Sequence, residues 1–181
     1  MAGRSAKRER KYPDITDPVE WAGHYWTQQQ LDGDPRRFLA LTSLLRFERI
    51  VAEEVEGELK KYGLNMTDYL MLMTLQLSES GTRLISSLAR NLLVHATTAT
   101  LATDRLESRG LLYRSPHPTD RRATCVTITK EGQETVMKAT RGLSDADFGM
   151  PGSTPKMIEE LMRALTALRH AAGDTQARQK R

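Results

Sequence analysis

The sequence predicts a mainly α chain of the α+β class, with one small lobe flanked by helices on both sides. Three observations support this. Apolar residues recur at helical spacing over most of the chain, and β-branched runs occur only in one short region rich in turn formers. Between Leu84 and Gly132 these signals follow one another as short helix, tight turn, Thr-rich helix and hairpin. That is the order of a winged helix-turn-helix.

Each element has a local reason. A short helix over residues 18–30 carries Trp21, Tyr25 and Trp26. Asp34-Pro35 reads as an N-cap followed by proline at N1, opening a long helix that Gly63 stops. Its apolar positions are Phe38, Leu41, Leu45, Val51, Val55 and Leu59. Asn65, with Asp68 three residues on, forms a variant of the capping box for the next helix, whose dense apolar run 69–77 predicts a buried element. Thr82-Arg83-Leu84 is short enough to add a third strand beside the hairpin. A helix is expected to start near Ser86, whose hydroxyl can satisfy its first amides, with Leu88 and Leu92 on its inner face.

Leu93-Val94-His95 makes the turn, and the second helix runs over residues 96–109 until Gly110 ends it. Ala99, Ala102 and Leu106 give it a narrow inner face, which leaves Thr97, Thr100, Leu101 and Asp104 outside. Two strands at 111–114 and 124–128 flank a loop stiffened by Pro116 and Pro118. Thr129-Lys130 opens a further helix to about 144, and a Gly/Pro break at 149–153 precedes a last helix with Met157, Ile158, Leu161, Leu165 and Leu168 on one stripe.

Asp120-Arg121-Arg122-Ala123-Thr124-Cys125-Val126-Thr127-Ile128-Thr129 resembles the wing pattern of the MarR family of transcriptional regulators: an Asp, an Arg two residues on, and after five more a Leu-Thr pair, with Ile128 for the Leu. Val94 to Thr100, Asp104-Arg105-Leu106-Glu107 and Gly110-Leu111 are similar to that family's recognition helix, and the likeness extends over residues 38–169. Leu101 departs from it, standing where many members carry a polar or basic residue.

The resemblance implies a DNA-binding regulator. In the recognition helix, Ala96, Thr97, Thr98, Thr100, Leu101 and Arg105 are the expected DNA-facing residues, and Ser86 and Ser87 are expected at the phosphate backbone. Thr98 can instead be partly inward, Leu101 can meet a thymine methyl or pack on a neighbour, and Arg105 can pair with Glu107 or another carboxylate. In the wing, the family inserts the arginine matching Arg122 into the minor groove, with Asp120 expected to orient it, while Arg121 and Arg114 are expected as phosphate clamps.

Apolar stripes at both ends of the chain exceed what one small winged domain can cover, so an intertwined homodimer is expected, as the resemblance also implies. Residues 13–63 and 131–172 would supply its dimerisation helices around a lobe at 64–130, with disordered tails at 1–12 and 173–181. Recognition helices then lie about 34–36 Å apart, facing a pseudo-palindrome. Trp21, Tyr25, Trp26, Tyr69 and Met73 are either simple core or the lining of an effector pocket, for which the resemblance implies a small aromatic or phenolic ligand. A repressor released by that ligand is the leading expectation; a ligand-binding or protein-interaction module with only non-specific DNA binding is the other.

Composition narrows the remaining classes. The net charge is +4, and the termini supply much of the excess through Arg4, Lys7, Arg8, Arg10, Lys11, Arg178, Lys180 and Arg181. One cysteine allows no intramolecular disulfide, and Cys125 reads as a small buried strand residue. His24, His95, His117 and His170 show no ligand spacing, so no metal or cofactor is expected. No nucleophile-base pair or phosphate-binding glycine loop argues for an enzyme. No apolar run approaches the roughly 20 residues that span a bilayer, and a cytoplasmic protein is expected.

Overall fold

The computed structural model describes residues 15–120 and 122–174. Its elements, in chain order, are α1 (Pro18–Gln28), α2 (Pro35–Lys60), α3 (Met66–Gln76), β1 (Thr82–Leu84), α4 (Ile85–Asn91), α5 (Ala96–Ser108), β2 (Leu112–Pro116), β3 (Thr124–Ile128), α6 (Lys130–Asp145) and α7 (Pro155–Ala171), with a 3-10 turn at Asp147–Gly149. The chain divides into two compact units inside α2, between Arg49 and Ile50. The predicted tail at 1–12 and residues 175–181 of the tail predicted at 173–181 lie outside the described residues, whereas Gly173 and Asp174 are described, with Asp174 accepting from Arg169 Nε at 2.7 Å.

In the first unit, Asp17 caps α1 by accepting from the amides of Val19 and Glu20, with Pro18 at N1. Asp34 does the same for α2 through the Arg36 amide at 3.0 Å. The Arg36 side chain also bonds Asp34 and holds its carboxyl below the usual range. Trp21 packs on Tyr25 in a tilted pair with ring centroids 4.8 Å apart, and Trp26 meets Phe38 at 5.0 Å. No residue of α1 is buried, and Leu41, Leu44 and Leu45 on α2 stand open.

The second unit holds the core. Leu59, Met71, Leu72, Leu75, Leu88, Leu106, Leu112, Val126, Val136 and Leu143 are fully enclosed. The Asn65–Asp68 capping box forms as expected, with the Asp68 amide donating to Asn65 Oδ1 at 2.8 Å. Helix α3 is less buried than its apolar run predicts: Tyr69, Met71, Leu72 and Leu75 face inward, whereas Leu70 and, at the C-cap, Leu77 are exposed. A run that covers every face of a helix cannot say which face the neighbours leave open.

The three strands form an antiparallel sheet in the order β1-β3-β2, pairing Leu84 with Cys125 and Arg114 with Val126. The predicted third strand is therefore present. Strand β2 continues through Pro116, which pairs with Thr124 instead of opening the loop. An edge strand tolerates a residue with no amide to donate. Helix α4 starts at Ile85 with Leu84 at its N-cap and no side-chain cap, so Ser86 does not cap it. The chain passes from the paired Leu84 straight into the helix, which puts Ser86 one position too late.

Gly132, in the first turn of α6, allows that helix to lie against the β2 entry: a Cβ there would sit 2.0 Å from the Leu111 carbonyl oxygen. No residue of α7 is buried, and Met157 and Leu168 are exposed. Among the described residues no helix is long and apolar enough to cross a membrane.

Candidate nucleic-acid interface

Helix α5 is placed by its small inner residues. Ala99, Ala102 and Leu106 are wholly buried, as their spacing predicts. So is Thr103, whose hydroxyl donates to the Ala99 carbonyl at 2.7 Å and so can be enclosed without loss. Its burial was missed; its position four residues after Ala99 and three before Leu106 was the available signal. Leu93 in the turn takes φ +53°, and the Val94 amide returns to the Ala89 carbonyl at 3.0 Å. His95 caps α5, its Nδ1 accepting from the Thr97 amide at 3.4 Å.

These constraints leave Ala96, Thr97, Thr98, Thr100, Leu101 and Asp104 exposed, Leu101 at 54%. Thr98 is thus outward, and Leu101 is not covered by a neighbouring element. Ser86 on α4 is exposed and Ser87 half-buried. Gly110, at φ +71°, turns the chain into the wing.

The basic side chains are less free than the sequence suggests. Arg105 gives Nη2 to Asp68 Oδ1 at 2.8 Å, which resolves its alternatives in favour of a carboxylate on α3. Arg109, unremarked in the sequence, donates to the carbonyls of Gly63 and Tyr62 and ties the end of α5 to the α2–α3 turn. Arg114 is not the free phosphate clamp expected of it. Its guanidinium bonds Asp104 through Nη2 at 2.5 Å and Glu107 through Nη1, and its amide donates to Glu107 Oε1 at 2.9 Å. Burial opposes its charge, but the bonds to Asp104 and Glu107 outweigh that and raise its pKa above the ordinary value.

At the wing tip Arg122 is exposed. The recorded contact with Asp120 is through the backbone: the Arg122 amide donates to Asp120 Oδ1 at 3.0 Å. Asp120 therefore shapes the turn, in the manner of an Asx turn, where a guanidinium partner was expected. His117 contributes unexpectedly, its Nδ1 accepting from the Asp120 amide at 3.2 Å while its own amide meets the Ala123 carbonyl at 3.1 Å. Arg121 lies outside the described residues. Cys125 is buried on β3, as expected.

The residues expected at an effector pocket divide between the two units. Trp21, Tyr25 and Trp26 belong to the first. In the second, Tyr69 is buried with its hydroxyl 3.1 Å from Thr140 Oγ1, and Met73 lines a groove of about 350 Å³ with Gln76, Val136 and Thr140. Among the described residues no cluster of His, Cys, Asp or Glu is arranged to hold a metal.

A helix, a sharp turn, a second helix with an open threonine face and a hairpin beside it define a winged helix-turn-helix protein. The model of the MarR family matches residues 64–124. Sco5413, a MarR family transcriptional regulator from Streptomyces coelicolor, is 38% identical with a TM-score of 0.72, over 78% of this chain and 98% of that one. The regulator MhqR of Bacillus subtilis is 32% identical over 49% of this chain, which spans 60% of the relative's length. Sco3205 of Streptomyces coelicolor, a MarR family regulator in complex with DNA, shares the fold at 21% identity and a TM-score of 0.70, over 81% of this chain and 92% of that one. The chain belongs to the MarR family.

Proposed function

We propose that this MarR-family chain is a homodimeric transcriptional regulator that binds a pseudo-palindromic operator in duplex DNA. The observation that carries the reading is the pairing of two exposed features in one lobe: the outer face of α5, with Thr97, Thr100 and Leu101, and the wing with Arg122. Threonine hydroxyls and methyls and a leucine side chain suit base edges in a major groove, and an arginine suits a narrow minor groove. Sco3205, of the same fold, is in complex with DNA, which supports the reading. The exposed apolar residues of α2 and the unburied α7 support self-association.

The regulator acts by binding, without turnover, in the cytoplasm. As a repressor, it leaves its operator when a small aromatic effector favours a lobe spacing that cannot engage both half-sites, and DNA weakens effector binding by the same factor. The groove beside Met73 is of a size for such a ligand.

Selection of bound sites from random duplexes by the full chain at physiological salt tests the reading. An enriched pseudo-palindrome with half-sites about one helical turn apart is expected. Weak, salt-sensitive binding with no enriched sequence would overturn it in favour of a ligand-binding or protein-interaction module.

A further inference from the structure

The geometry points to Arg114 as an internal counter-ion that locks the wing to the recognition helix and offsets half the charge of two carboxylates on the surface presented to DNA. The inference rests on the DNA-binding reading above and assigns a role inside it.

Asp104 follows Thr100 and Leu101 by four and three residues on the outer face of α5, and its side chain is 55% exposed. Glu107 lies one turn further on, 37% exposed. Two carboxylates beside a phosphate backbone repel it and oppose docking. Arg114 meets both. Its own side chain is 26% exposed, so it is held inward between them, and the Glu107 bond to its amide anchors the strand as well as the charge. A planar guanidinium can bridge two carboxylates with separate N–H groups, which a lysine ammonium cannot do with the same geometry.

Two consequences follow. The wing, which begins at β2, inherits its orientation from α5 through these bonds, so the distance from Thr97 and Leu101 to Arg122 is set partly by Arg114. The local charge near Arg114 is that of one guanidinium against two carboxylates, where its loss would leave two bare negative charges. Arg114 is thus a positioning residue and not a phosphate contact.

The test is a double-mutant cycle on affinity for the selected operator, with each variant shown to be folded at the assay temperature by circular dichroism. Arg114→Met is expected to weaken binding by about tenfold or more. Asp104→Asn with Glu107→Gln weakens the lock as it removes the charge, and is expected to lower wild-type affinity by a few fold, yet to recover part of the loss in the Arg114→Met background. A direct phosphate contact predicts additive effects within about twofold, and a purely structural role predicts unchanged affinity of the folded variant. Either result overturns the proposal.

Should Arg114→Met fail to fold, Arg114→Lys serves: partial loss of affinity is expected, recovered by Glu107→Gln, and no recovery would count against the proposal. Absence of any selected operator for the wild-type chain would instead overturn the regulator reading, and the role of Arg114 toward DNA with it.

Discussion

Arg105 on α5 and Asp68 on α3 are joined at 2.8 Å, and the same Asp68 closes the capping box that starts α3. One carboxylate therefore holds both the beginning of one helix and the outer turn of the recognition helix. Its side chain is 5% exposed, against 47% for Arg105. Asp68→Ala removes the reciprocal half of the capping box, in which the Asn65 amide donates to the Asp68 carboxylate, together with the ion pair, and should cost about 2–3 kcal/mol. Arg105→Met removes the half-exposed partner only and should cost about 1 kcal/mol. Chemical denaturation measures both, and equal losses would contradict the shared role.

Two glycines in helices should respond in opposite directions to alanine. Gly132 faces the Leu111 carbonyl oxygen, which a Cβ would approach to 2.0 Å, whereas a Cβ on Gly57 in α2 would meet nothing within 4 Å. Gly132→Ala should destabilise by about 3 kcal/mol through overpacking. Gly57→Ala should stabilise by about 0.5–1 kcal/mol, because alanine loses less freedom in a helix. Thermal unfolding of the two variants decides it.

Arg122 and Arg121 should part company in binding assays. Arg122→Ala should lower affinity about tenfold where A·T pairs flank the half-site and less where G·C pairs do, since only the narrow groove concentrates negative potential. Arg121→Ala should weaken all sequences evenly and reduce the salt slope by about one unit. Uniform loss from Arg122→Ala would remove its minor-groove role.

Leu101 is more than half exposed and unsupported by neighbours, so Leu101→Ala should shift stability by no more than about 0.5 kcal/mol. Operator affinity should nonetheless fall by about 1 kcal/mol at sites carrying a thymine opposite it, the methyl contact being lost. Titration of matched duplexes with thymine or uracil at that position reads the contact directly.

Helix α7 offers a check on self-association. Met157 and Leu168 are 54% and 63% exposed in the single chain. Replacing both by glutamate should leave the helix formed but shift the chain from dimer to monomer in sedimentation velocity, because a buried interface does not accept unpaired charge. Unchanged mass would exclude α7 from the interface.

Much of the interface was legible locally. Asp34-Pro35, Asn65 with Asp68, and Gly110 mark boundaries that depend on hydrogen bonds within a few residues, and the structure keeps them. The small face Ala99, Ala102 and Leu106 was legible for a related reason: a helix places residues three and four apart on one side wherever it occurs. The partners of the arginines were not legible. Arg105 finds a carboxylate 37 residues away, and Arg109 a carbonyl 46 away, through the packing of α3 and α5.

The sequence by itself determined the elements, their order and the exposed threonine face, because propensity, capping and periodicity act between residues close along the chain. Only the tertiary structure decided which basic groups face solvent and which are consumed inside the lobe. Arg114 and Arg122 look alike eight residues apart, yet one is enclosed by Asp104 and Glu107 and the other stands exposed at the wing tip. Charge does not record its partner; the folding of β2 against α5 does.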